Sequence, residues 1–162
     1  MRNDFLIEMG FPGLTGRLKR LNDLFVYQTK EFYKERGLEI EPNWHMVFSL
    51  LQKHESLTNT EISEMLQLSH PAIVKLVNKM KKKGYLKSIQ DPEDNRKYQI
   101  SLSQKAKKEL PEMEKLWELG SQAIEELLGE DNVLLEKLEI LELNMEELSF
   151  KERMENKLQE ES

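Results

Sequence analysis

The chain has 162 residues, 33% of them charged and 38% hydrophobic, with no cysteine and a formal net charge of −6. That size suits one compact domain, or a small domain with an added oligomerisation segment, and the composition suits a folded, helix-rich protein. It excludes disulfides, thiolate zinc sites and cysteine redox switches; with no apolar run long enough to span a bilayer and no signal-peptide organisation in Met1–Gly10, the expected location is cytoplasmic, with no membrane partner.

In chain order, Gly10-Phe11-Pro12-Gly13 breaks any helix begun at Asp4. Leu14, Leu18, Leu21, Leu24, Phe25, Gln28 and Phe32 then follow steps of three and four, which predicts an amphipathic helix to about Arg36, stopped by Gly37. Pro42 suits a first helical turn, and Trp44, Val47, Phe48 and Leu51 give a second helix ending near His54. Thr58 with Glu61 is a capping box that opens a short third helix, with Ile62, Met65 and Leu66 as its apolar face. Leu68-Ser69 forms a turn. Ser69 is the N-cap of a fourth helix with Pro71 in its first turn, a buried stripe of Ile73, Leu76, Val77 and Met80, and Gly84 at its end.

The period then changes. Tyr85–Ile89 reads as a strand, Asp91–Arg96 as turn chemistry, and Lys97–Leu102 as a return strand. From Ser103 the chain is helical again, with Pro111 expected to kink or restart the helix. Leu110, Met113, Leu116, Trp117, Gly120, Ile124 and Leu127 form its stripe, and Gly129 ends it. Asp131 can cap a last helix whose Leu134, Leu138, Leu141, Met145 and Leu148 step 4-3-4-3, a heptad seam. Ser149 with Glu152 makes a second capping box, where the helix either breaks and restarts to about Gln159 or runs on. The fold class is therefore mainly α with a small β-hairpin wing behind a helix-turn-helix.

Charge is unevenly spread. Residues 1–54 hold 8 Lys and Arg against 7 Asp and Glu, residues 55–110 hold 11 against 7, and residues 111–162 hold 5 against 16. A basic middle beside an acidic tail reads as two jobs on one chain. With the fourth helix's stripe turned inward, His70, Pro71, Val74, Lys75, Asn78 and Lys79 are left outward on one ridge. Such a ridge fits the major groove of B-DNA, about 12 Å wide. Lys75 can donate to guanine edges or phosphate, Asn78 can pair with adenine or reach the backbone, and Val74 can meet a thymine methyl. Ser69 and the free amides beside it suit a phosphate. Arg96, flanked by Lys97 at the tip of the hairpin, suits the narrow minor groove, and Asp94 can hold its guanidinium in one direction. The alternative for each is an ordinary solvated helix face and a turn whose acids serve only turn chemistry.

The stretch LTNTEISEMLQLSHPAIVKLVNKMKKKGYL followed by DPEDNRKYQISL resembles the winged helix-turn-helix of the MarR (multiple antibiotic resistance regulator) family. Asp91, Asp94 and Arg96 meet that family's Asp-x-x-Asp-x-Arg wing pattern, and Lys82, Lys83 and Gly84 its helix-ending Lys-Lys-Gly. Where many members carry a further wing arginine, this chain has Glu93 and Asn95. The Ser-His-Pro start of the recognition helix also resembles members fused to an acetyltransferase, a domain for which the remaining residues leave no room.

The resemblance implies a DNA-binding transcriptional regulator, with residues 42–102 as the winged domain and 1–36 with 104–162 as a helical dimerisation region. A homodimer agrees with apolar stripes longer than a small winged domain can cover. It would meet a pseudo-palindromic duplex through two recognition helices (about 70–83), with the wings (about 91–97) in the minor groove. The family also implies a small aromatic ligand, for which Tyr27, Phe32, Tyr33, Trp44, Met46, Phe48 and Trp117 are candidate lining residues. Aromatics at helical spacing are more often core. His45, His54 and His70 make no chelating set, and no phosphate loop, nucleophile elbow or zinc-binding motif is present, so neither catalysis, metal nor cofactor is expected. The competing readings are a winged-helix protein-interaction module without DNA binding and a ligand-binding helical protein.

Overall fold

The structure is a computed structural model that describes residues 4–90, 98–129 and 131–161. The chain forms two compact units, residues 1–111 and 112–162.

In the first unit, α1 (Phe5–Glu8) is capped by Asp4, whose carboxylate accepts from the Leu6 amide at 3.2 Å and pairs with Arg20 at 2.8 Å. A 3₁₀ turn, Phe11–Gly13, leads into α2 (Leu14–Glu35). Gly13 allows this fold-back, because a Cβ there would lie 2.0 Å from the Leu6 carbonyl oxygen. α3 (Trp44–Lys53) follows, with Pro42 in the turn before it rather than inside its first helical turn. The Pro42 carbonyl meets the His45 ring at 2.7 Å, so the proline serves the entry turn.

A two-residue strand, β1 (Ser56–Leu57), comes next and has no counterpart in the sequence reading. α4 (Asn59–Leu66) opens on the expected capping box, with Thr58 Oγ1 accepting from Glu61 N at 3.2 Å and Glu61 Oε2 accepting from Thr58 N at 2.6 Å. α5 spans His70–Lys82, with Ser69 as N-cap and Pro71 in the first turn. The wing strands are β2 (Leu86–Gln90) and β3 (Tyr98–Leu102), and α6 (Gln104–Leu128) runs on unbroken through Pro111. The helix does not restart at that proline, and Leu110 and Met113 on either side are both buried.

The sheet order is β1-β3-β2, antiparallel throughout. Ile100 sits opposite both Leu57 and Ser88, which puts the apolar side of β3 under both neighbours. The core gathers Trp44, Val47, Phe48 and Leu51 of α3, Ile62 of α4, the four-residue stripe of α5, and Leu86, Ile100 and Leu102 of the strands. Tyr85 binds this set, edge-on to Trp44 at 5.7 Å and to Phe48 at 5.6 Å, the arrangement that ring quadrupoles prefer. Met65, expected inward, is exposed, because α4 has only two turns and Ile62 alone reaches the core.

The second unit holds the rest of α6, then α7 (Val133–Glu147) and α8 (Phe150–Glu160). Asp131 Oδ1 accepts from Val133 N at 3.1 Å at the start of α7. Of the two courses open at Ser149 the helix takes the break: Ser149 and Glu152 close a capping box, and Arg153 donates from Nε to Leu148 O at 2.9 Å and from Nη2 to Asn144 O. One arginine at the head of α8 thus satisfies two carbonyls at the tail of α7. Leu134, Leu141 and Met145 of the seam are exposed in the single chain, as are Leu14, Leu18, Leu21, Leu24 and Phe25 of α2 in the first unit. No helix among the described residues is long and apolar enough to cross a membrane.

Candidate nucleic-acid interface

Two helices joined by a tight turn build the site. Gln67 ends α4 in the left-handed region (φ 52°), and the chain is turned by Leu68 N donating to Ser63 O at 3.1 Å and Ser63 Oγ donating to Leu68 O at 2.6 Å. Ser69 then takes an extended conformation, and its carbonyl accepts from Ala72 and Ile73 to start α5. Its hydroxyl makes no capping bond within the helix, which leaves it available at the positive end of the helix dipole.

α5 separates two faces. Ile73, Val77 and Met80 are at most 1% exposed and Leu76 7%, so this stripe seats the helix. His70, Pro71, Lys75, Asn78 and Lys79 are exposed and Val74 is half-buried, which leaves the predicted ridge outward along the helix. Among the described residues no carboxylate pairs with Lys75 or Lys79. The lysines at the helix end differ. Lys81 donates to Ser88 Oγ at 2.8 Å, and Lys83 pairs with Glu39 at 2.6 Å, which holds the Glu39 carboxyl below the usual glutamate range. These two fasten the helix.

Arg96, Lys97 and Asp94 lie outside the described residues. Lys87 was not singled out from the sequence, yet strand alternation marks it: Leu86 faces the core and Lys87 is exposed on the opposite side of β2. The ends of α5 and α6 are also joined through Tyr85, Ser103 and Lys105, for which the sequence carries no recognisable pattern. Burial and the Glu109 carboxylate, which accepts from the Tyr85 hydroxyl at 2.9 Å, raise the phenol's pKa, so it stays a donor.

The aromatic candidates for a ligand site differ in their surroundings. Trp44 and Phe48 are packed around Tyr85, and Tyr33 is buried with Phe32 at 6.3 Å between centroids. Tyr27 is 60% exposed on α2, where it donates to Glu31 at 2.7 Å and edges a shallow groove of about 420 Å³ with Lys19, Arg20, Asp23 and Leu24. Trp117 belongs to the second unit and is half-buried. Among the described residues no group of three or more His, Asp or Glu is placed to hold a metal ion.

A sequence model of the MarR family matches residues 38–97. The HTH-type transcriptional regulator PapX of Escherichia coli is 33% identical over 86 residues, which are 52% of this chain and 51% of PapX, so the chain spans about half the length of that curated relative. Among solved structures, a probable transcriptional regulator from Pseudomonas aeruginosa superposes with a TM-score of 0.64 at 22% identity, covering 79% of this chain and 96% of that one. The MepR–DNA complex of S. aureus superposes with a TM-score of 0.68 at 16% identity, covering 82% and 96%. At those identities the likeness is one of fold.

Proposed function

We infer that this chain, whose residues 38–97 match the MarR family model, is a MarR-type transcriptional regulator that binds duplex DNA as a homodimer. α5 enters the major groove with His70, Pro71, Val74, Lys75, Asn78 and Lys79, and Ser69 meets a phosphate at its start. The arm at 91–97 reaches the adjacent minor groove with Arg96 and Lys97, and Asp94 orients the arginine. One observation carries this reading: an outward ridge, with two lysines that meet no carboxylate among the described residues, stands on a helix whose opposite face is buried. A scattering of lysines on a surface helix would not combine fixed seating with charge on one side.

Residues 42–102 are the DNA-binding domain in this scheme, and 1–36 with 104–162 form the dimerisation region. The exposed leucines of α2 and the exposed seam of α7 support a second copy as their cover. Two-fold symmetry then sets two α5 helices about 34 Å apart and requires a near-palindromic operator. Control by a small aromatic ligand has less support, since Tyr33, Trp44 and Phe48 are committed to the core.

The test is selection of bound duplexes from a randomised pool, followed by salt titration of the recovered sequence. The expected result is a near-palindrome bound by a dimer in sedimentation. Lys75→Ala should reduce the slope of log K against log salt by about 0.9 if it loses one phosphate. A pool that shows no enrichment at low salt refutes DNA binding, and enrichment by a sedimenting monomer refutes the dimer.

A further inference from the structure

The end of α5 and the start of α6 share their caps. Gly84 turns left-handed at φ 79°, Gly84 N donates to Lys81 O at 2.9 Å, and Tyr85 N donates to Met80 O at 3.0 Å, a Schellman closure. The next three carbonyls all accept from one short stretch at the head of α6. Lys105 Nζ donates to Lys83 O at 3.0 Å, Ser103 Oγ to Gly84 O at 2.6 Å, and Ser103 N to Tyr85 O at 2.9 Å. The same Ser103 hydroxyl accepts from Ala106 N at 3.1 Å, so it ends one helix and begins the other. Lys105 also stands 4.1 Å over the Tyr85 ring, a cation at a helix C-terminus and on an aromatic face together.

The geometry points to Ser103 and Lys105 as positioning residues of the DNA site: by joining the last turn of α5 to the first turn of α6, they fix the angle at which α5 presents its ridge, without touching the duplex. This rests on the DNA-binding function proposed above. The apolar stripe seats α5 by non-directional burial, whereas hydrogen bonds to three successive carbonyls add a direction at its end. The lever is long. A 13-residue helix spans about 20 Å, so a tilt of about 10° about its C-terminus moves Ser69 by about 3.5 Å, enough to break any base contact.

The test uses the duplex that the wild-type protein enriches from a randomised pool and a scrambled duplex of equal length. Ser103→Asp keeps an acceptor for the Ala106 amide but cannot donate to Gly84 O, and Ser103→Thr keeps both. Lys105→Met keeps the stem over Tyr85 but loses the donor and charge, and Lys105→Arg keeps them. Ser103→Asp and Lys105→Met should each lose about tenfold in preference for the selected over the scrambled duplex, with Thr and Arg restoring it. The salt slope of Lys105→Met should be unchanged. A slope lower by about one unit would make Lys105 a phosphate contact and overturn the proposal. So would an unchanged preference, whatever happens to the melting temperature. If the wild-type protein enriches nothing, DNA binding and with it the positioning role are refuted. Amide exchange then still reads the joint: faster exchange at Lys83, Gly84 and Tyr85 in the two variants supports it, and unchanged exchange refutes it.

Discussion

Ile73 and Lys75 are two residues apart on α5 and should fail in opposite ways. Ile73 is fully buried, so Ile73→Ala loses its transfer free energy and leaves a cavity, about 2–5 kcal/mol in all. Ile73→Val should cost about 1 kcal/mol. Lys75 is exposed and meets no carboxylate among the described residues, and its truncation should cost no more than about 0.5 kcal/mol of stability. Binding behaves inversely. If the wild-type fold is stable by about 8 kcal/mol, a loss of 3 still leaves only about one molecule in several thousand unfolded. The apparent affinity of Ile73→Ala is then nearly that of the wild type, because it scales with the competent fraction. Lys75→Ala stays folded and loses affinity with a shallower salt slope. Urea melts with a check on the m-value, run beside fluorescence anisotropy on the selected duplex, measure both quantities. The two-faced account of α5 is refuted if Ile73→Ala costs less than about 1 kcal/mol, or if it lowers affinity as far as Lys75→Ala while remaining folded.

Gly13→Ala puts a methyl group onto the Leu6 carbonyl and should detach α1 from α2; limited proteolysis should cut near residue 10 faster in that variant, with the Asp4–Arg20 pair lost. Thr58→Ala removes the acceptor of the α4 capping box and should cost about 1 kcal/mol in urea melts. A double-mutant cycle with Glu61→Ala should show the two residues to be coupled. Glu152 is held below its ordinary value of 4.5 by the Ser149 hydroxyl and amide. A depressed carboxylate contributes stability that is full above the unfolded value and is lost as pH falls through the folded one. The protection factors of amides at the head of α8, corrected for the intrinsic pH dependence of exchange, should therefore fall as pH drops through that window, and Ser149→Ala should remove that dependence.

How legible each element was depended on whether its cause is local. Both capping boxes and the α5 stripe arise from side chains three or four residues apart, and each stands where its spacing predicts. β1 was invisible because two residues, Ser56 and Leu57, carry no period, and their strand exists only through Ile100 and Ser101, more than forty positions away. Pro111 does not restart the helix, although its missing amide allowed for that; Leu110 and Met113 beside it are both buried. Among the site residues, the ridge of α5 was legible as the complement of its stripe. Ser103 and Lys105 were not, since their partners are carbonyl groups, which every sequence position has alike.

The short strand β1 has a consequence for the arm that follows β2. Its pairing with the base of β3, opposite the side where β2 lies, anchors the hairpin's alignment from outside the hairpin. A slip of one residue would turn Ile100 to solvent and strand Leu57 without a neighbour. Residues can therefore be inserted or deleted between 90 and 98 while the paired strands, with Lys87 on β2, keep their register.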